Sequence, residues 1–123
     1  MNKTEFDDTL LERIQSVVQP GDEILTLAAK RLNLIAAIDR NGIWVQTSRS
    51  KSHHAVPKLV PAWMITTAWQ QLQKAGVLSN TELLDDLNVK RSSFVIALLA
   101  QFPDVVVRSS EPIVVELISV SAT

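Results

Sequence analysis

The chain has 123 residues, of which 46% are hydrophobic and 20% are charged, and its formal net charge is −1. This length suits one domain or two small lobes that share a core, and the composition is too apolar for a disordered chain. Because there is no cysteine, disulfides, thiolate zinc sites and thiol nucleophiles are excluded.

The N-terminal segment predicts an amphipathic helix, because Phe6, Leu10 and Ile14 recur at helical spacing. Thr4 and Asp7 are suited to cap its start, and the sequence "QPG" at 19–21 ends it. This acidic beginning lacks the apolar run of a secretory signal, and no stretch reaches the ~20 apolar residues of a membrane span. We therefore expect a cytoplasmic protein with no membrane partner.

A β region follows the first helix. The segments "EILTLAA" and "NLIAAID" are short apolar runs separated by a polar stretch, and "IWVQTS" alternates apolar and polar residues. Between the last two lies Asn41-Gly42, a pair typical of a hairpin turn in which both central residues have positive φ. We predict two or three antiparallel strands, so residues 1–50 form an N-terminal helix with a β-hairpin region.

A polar, proline-containing stretch predicts a linker or loop at 51–60, before the C-terminal region 61–123. That region begins with a helix at 61–75, which has Ile65, Trp69 and Leu72 on one apolar face and ends at Gly76. The pattern then predicts helices at 80–87 and 90–101 and strands at 105–108 and 113–119.

The second of these helices has a well-marked start and end. Ser79 is suited to cap it, Glu82 to close a capping box, and Leu78 to pack on Leu83 one turn inside. Asn88 follows the helix and tolerates the left-handed conformation that a tight turn requires. The sequence therefore predicts a helix, a tight turn and a third helix.

The spacing of Leu83, Leu87, Val89 and Phe94 resembles the buried positions of a helix-turn-helix unit. With the two strands that follow, residues 61–119 resemble a winged helix-turn-helix domain. The resemblance implies an α+β fold in which the N-terminal helix and small antiparallel sheet precede a winged-helix-like unit of three helices and two strands. Two departures are Asn88, where the pattern usually has glycine, and Leu84, where it usually has a small residue.

The third helix is apolar on every side after its first turn. Val95 and Ile96, which the resemblance would turn towards a DNA groove, belong to the apolar run "FVIALLA". A helix of this kind is usually buried all round. Residues 94–102 are therefore expected to be core, or to form an interface with a second copy or a partner protein.

The middle of the chain is basic. Residues 24–74 contain seven basic residues and one acidic residue, whereas both flanking regions are acidic. Such a region attracts polyanions, or it pairs with the protein's own acidic ends. The predicted phosphate contacts are at the start of the third helix, with loop and wing residues as secondary contacts: Lys90, Arg91, Ser92, Ser93, Arg49, Lys51, Lys58 and Arg108.

No residue pattern points to catalysis. His53 and His54 are adjacent and have no neighbouring carboxylate or cysteine, so they do not suggest a metal site. Three glycines in the whole chain do not provide a glycine-rich phosphate loop, and no nucleophile elbow is present. We expect a non-enzymatic protein without metal or cofactor.

Two functions remain open at this point. The first is nucleic-acid binding, of DNA rather than RNA, mainly through phosphates and with a regulatory role. The second is a protein-interaction or assembly module that uses the apolar helix 94–102 and the C-terminal strand for a homodimer or a partner.

Overall fold

Helices and two antiparallel sheets make this an α+β protein, as the sequence predicts. The structure is a computed structural model, and it describes residues 5–47 and 56–118. The helices are α1 (Asp8–Val17), α2 (Ala62–Ala75) and α3 (Ser92–Leu99), with a short π-helix at Glu82–Asp86. The strands are β1 (Glu23–Leu25), β2 (Leu32–Asp39), β3 (Gly42–Thr47), β4 (Lys58–Pro61), β5 (Val77–Ser79), β6 (Val105–Ser110) and β7 (Ile113–Leu117).

The first sheet has four strands in the order β1-β2-β3-β4. The predicted linker at 51–60 is wrong at its end, because Lys58–Pro61 is strand β4. Its residues pair with β3, where Ile43 faces Val60. Residues 51–55 of that linker lie outside the described residues. Because α2 begins directly after β4, the sheet fixes the position at which the C-terminal unit starts.

The predicted hairpin is confirmed, since a tight turn joins β2 to β3. Its predicted position and geometry are wrong, because Asp39 pairs with Gly42 and leaves Arg40 and Asn41, neither with a positive φ, at the centre of the turn. Gly42 begins β3 and has a positive φ of 147°. The Asp39 carboxylate accepts a hydrogen bond from the Asn41 N–H at 2.8 Å, which closes the turn through a side chain. Gly42 is also held close to β4, where a Cβ atom would lie 2.1 Å from the Val60 carbonyl oxygen.

Replacing Gly42 with alanine is expected to lower the free energy of unfolding by about 3 kcal/mol or more, because the new methyl group overlaps the backbone of β4. Gly21→Ala is the matched control. Gly21 also has a positive φ, but no atom lies within 4 Å of its Cβ position. The control variant should therefore lose only about 1 kcal/mol. Urea unfolding of both variants measures the difference, and equal losses would contradict the close contact.

The C-terminal unit contains a short strand that the sequence pattern did not reveal. Strand β5 lies between α2 and the π-helix and pairs with β7, so the second sheet has the order β5-β7-β6. Its last residue, Ser79, accepts a hydrogen bond from the Glu82 N–H at 3.0 Å, which confirms the predicted helix cap. The predicted capping box does not form among the described residues. The Glu82 carboxylate instead accepts a hydrogen bond from the Gln71 side chain at 3.0 Å.

The helices predicted at 80–87 and 90–101 are both shorter in the structure. Within the predicted helix 80–87, the Leu87 N–H donates to the Glu82 carbonyl, which is the five-residue spacing of a π-helix. Asn88 then adopts the predicted left-handed conformation, with φ 57°. The third helix begins at Ser92 rather than at 90, and it ends at Leu99 rather than at 101.

Buried apolar side chains from both halves of the chain form one cluster with α3 at its centre. Helix α2 and strand β1 contact α3, and α1 contributes Leu10 and Ile14, with Phe6 from the segment just before α1. The predicted N-terminal region and the C-terminal region therefore share a core, and α3 is covered by the chain's own residues.

Helix α1 is held to the C-terminal unit by Arg13. Its guanidinium lies 4.8 Å from the Trp69 ring centroid and 5.2 Å from that of Phe102, and it pairs with Asp104 at 2.8 Å. The start of α1 is capped by Asp7, whose carboxylate accepts from the Leu10 N–H. The alternative cap, Thr4, lies outside the described residues.

Candidate nucleic-acid interface

A cleft of about 430 Å³ lies where the β1–β2 hairpin faces the first turn of α3. We call it the main cleft. Its walls also include Thr47 at the end of β3, Asn80 before the π-helix and Ile113 at the start of β7. Its cationic and polar lining residues are Thr26, Arg31, Asn33, Thr47, Asn80, Lys90, Arg91 and Ser93.

The turn before α3 places the basic pair at the cleft. Asn88 makes the left-handed turn, and buried Val89 is fixed by a hydrogen bond from its N–H to the Leu83 carbonyl at 3.0 Å. Lys90 and Arg91 follow at once, so their positions depend on an anchored residue. No side chain caps the first turn of α3, which leaves the partial positive charge of the helix start directed at the same region.

The opposite wall is ordered by hydrogen bonds across the β1–β2 turn. The Thr26 N–H donates to the Arg31 carbonyl at 3.0 Å, and the Arg31 N–H donates back to the Thr26 hydroxyl at 2.9 Å. The Asn33 side chain donates to the same Arg31 carbonyl at 3.3 Å. Arg31 therefore leaves the hairpin from a fixed backbone position. It was absent from the predicted contacts, although the pair "KR" between two apolar runs was a signal for it.

A second cleft, of about 260 Å³, adjoins the first. We call it the side cleft. It is lined by Val45, Thr47, Lys58 and Arg91, so Thr47 and Arg91 belong to both clefts. The two clefts therefore adjoin at Thr47 and Arg91, and we call the pair of clefts the depression.

Four cations surround this depression, and we call Arg31, Lys58, Lys90 and Arg91 the cleft cations. In the part of the chain that the structure describes, none of them forms an ion pair. Arginines elsewhere do so: Arg13 pairs with Asp104, Arg40 with Asp8 and Arg108 with Glu116. The basic middle region thus pairs with the acidic N-terminal segment at Arg40, whereas Arg31 and Lys58 have no ion-pair partner within residues 5–47 and 56–118.

Arg91 is the least hydrated of the four. Burial lowers the pKa of its guanidinium from the ordinary value, because the loss of water disfavours the charged form. No aspartate or glutamate is among the described residues that line either cleft. A half-buried, unpaired guanidinium is stabilised by an incoming anion, so the depression is suited to bind a negatively charged group.

The structure sorts the predicted contacts into three groups. Lys90, Arg91, Ser93 and Lys58 are brought together at the clefts. Two others are not brought to the clefts: Ser92 is only 4% exposed, while Arg108 pairs with Glu116 and lines neither cleft. Arg49 and Lys51 lie outside the described residues.

Beyond its first turn, α3 does not face solvent. Every residue from Phe94 to Leu99 is buried, including Val95 and Ile96. The predicted burial of the apolar helix is thus confirmed, and its cover is intramolecular. A groove-reading role for Val95 and Ile96 does not agree with this burial.

Among residues 5–47 and 56–118, no group of three or more histidine, cysteine, aspartate or glutamate side chains is placed to hold a metal ion. No helix in these ranges combines the length and apolar character needed to cross a bilayer.

Comparison with known proteins gives no relative. No protein-family model, curated protein or solved structure matches the chain.

Proposed function

We propose that the protein is a non-enzymatic nucleic-acid-binding domain that contacts mainly phosphates through the cleft cations. The observation that carries this proposal is that four cations, without an ion pair among the described residues, line two adjoining clefts at the start of α3. Phosphate oxygens are the abundant anions that such a surface meets on DNA or RNA. DNA is the preferred ligand in this proposal, with a regulatory role and a cytoplasmic location.

The order of elements supports a winged-helix-like interpretation. Helix α2, the π-helix, α3 and the β6–β7 hairpin follow one another as the resemblance requires. Strand β5 pairs with β7 and so joins the hairpin to the segment between the first two helices. In this proposal the hairpin is the wing.

Burial of α3 determines how the ligand would be held. A helix that reads a major groove needs an exposed polar face, whereas α3 exposes only Ser93. Lys90 and Arg91 precede the helix and are accessible from the clefts. Binding would therefore depend on charge and backbone shape more than on base sequence.

Salt dependence tests this proposal directly. If the four cleft cations contact phosphates, the logarithm of the association constant should fall against the logarithm of salt concentration with a slope of about −3 to −4. Fluorescence anisotropy with mixed-sequence DNA and RNA, from ~50 to ~200 mM salt, measures this slope. Absence of binding at the lowest salt would contradict the proposal.

The assembly alternative has less support. Its main surface, the apolar helix, is covered within the chain, and β7 is the central strand of its sheet with a neighbour on each side. A homodimer or partner protein would have to use other surfaces.

A further inference from the structure

The main cleft carries more positive charge than the single negative charge of one phosphodiester can neutralise. Arg31, Lys90 and Arg91 all line it, and no described carboxylate does. A phosphodiester in a continuing strand carries one negative charge. A terminal phosphate is a monoester with a charge of about −1.5 to −2 at pH 7 and three acceptor oxygens. The charge of the cleft is therefore closer to that of a strand end.

The size of the main cleft and the position of the side cleft also suit the end of a strand. The main cleft has a volume of about 430 Å³, within the range of about 300–1,000 Å³ that is typical of small-ligand sites. It shares Thr47 and Arg91 with the side cleft, which Lys58 also lines. A strand whose end lies in the main cleft would place its next phosphate at this adjoining cleft, beside Lys58 and Arg91.

The lining chemistry suits a phosphate that is hydrogen-bonded as well as attracted. Arg91 is half-buried, so a guanidinium–phosphate contact there is weakened little by water. Ser93 adds a hydroxyl at the exposed position of the first turn of α3. Arg31 approaches from the fixed hairpin on the opposite wall.

We propose that the main cleft binds the terminal phosphomonoester of a nucleic-acid strand in preference to internal phosphodiesters. This inference rests on the proposed function and adds a ligand class to it. The end phosphate lies between Arg31, Lys90 and Arg91, and the following phosphodiester lies between Arg91 and Lys58.

The test compares one short oligonucleotide in forms that differ only at an end. Single strands carrying a 5′-phosphate, a 3′-phosphate or hydroxyls at both ends are labelled internally and titrated by fluorescence anisotropy. One of the phosphorylated forms should bind about tenfold more tightly than the hydroxyl form, as expected for added charge-assisted hydrogen bonds. Arg31→Gln should reduce this ratio to about two or less by removing one wall of the site.

Arg108→Gln is the control variant, because Arg108 is a surface arginine that lines neither cleft. It should keep the full preference for the phosphorylated end. Equal affinity for all three oligonucleotides would overturn this inference and leave the proposed function standing. Failure of every oligonucleotide to bind at ~50 mM salt would overturn both. A preference that survives Arg31→Gln in full would also overturn the inference, and so would one that disappears in Arg108→Gln.

Discussion

Replacing Lys90 and Arg91 together with glutamate is expected to weaken nucleic-acid binding at least about a hundredfold at ~50 mM salt. The change removes two of the four cleft cations and places two negative charges beside the phosphates. Arg91 belongs to both clefts, so the attraction for an anion is weakened in each of them, where only Arg31 or Lys58 is left. Fluorescence anisotropy with the wild-type ligand measures the loss.

A matched double variant shows whether the loss of affinity comes from lost contacts in the clefts or from the change in net charge. Lys74→Glu with Arg108→Glu changes the net charge by the same amount, but neither residue lines a cleft. Its affinity should stay within about threefold of the wild type, because neither side chain contacts a phosphate held in the clefts and exposed charges are screened by salt. If this control weakens binding as much as the cleft variant does, the affinity depends on the net charge of the protein and not on contacts in the clefts.

The cleft variant must also remain folded for its result to count. Arg91 is half-buried, so Lys90→Glu alone serves as the second variant, because Lys90 is exposed. This single change should cost about tenfold in affinity and leave thermal unfolding unchanged. A folded Lys90→Glu protein with wild-type affinity would contradict a phosphate contact at this position.

Features set by neighbouring residues were predictable from the sequence. Ser79 caps the next helix, Asn88 takes the left-handed conformation, and a tight hairpin turn joins β2 to β3. Each of these depends on side chains within about four residues. The burial of Phe94 to Leu99 was predictable for a similar reason, because an apolar run without a polar face has no favourable exposed orientation.

Features set by pairing between distant segments were not predictable. Strands β4 and β5 have four and three residues, and each forms by joining a sheet whose other strands lie elsewhere in the chain. The clefts also form between segments that are distant in the chain. Arg31, Lys58 and Arg91 come from three elements, and no local pattern indicates that they meet.

For Ser92 and Ser93, the sequence did not show which of the two side chains is buried and which is exposed. Adjacent helical residues point about 100° apart, so only one of the two serines faces the ligand side. Which one does so depends on where α3 begins, and the helix starts at Ser92 rather than at 90. A two-residue difference in the helix start thus placed Ser92 in the core and Ser93 at the cleft.

Replacing Ile96 with alanine is expected to lower the free energy of unfolding by about 3 to 4 kcal/mol. Ile96 is fully buried at the centre of α3, so the shorter side chain leaves a cavity that the packed helix and sheet fill only in part. Urea unfolding measures this loss. Leu84→Ala is the control, because Leu84 is 39% exposed and its truncation should cost less than about 1 kcal/mol.

The same variant distinguishes the functions that the sequence left open. If α3 is core, Ile96→Ala lowers stability, and the folded variant binds nucleic acid within about threefold of the wild type. If Ile96 instead contacted a DNA groove, truncation would weaken binding and leave stability nearly unchanged. If it contacted a second copy, sedimentation would show a change in oligomeric state. Only the first result agrees with a helix whose apolar residues are covered by α2 and β1, while the ligand is held at its first turn.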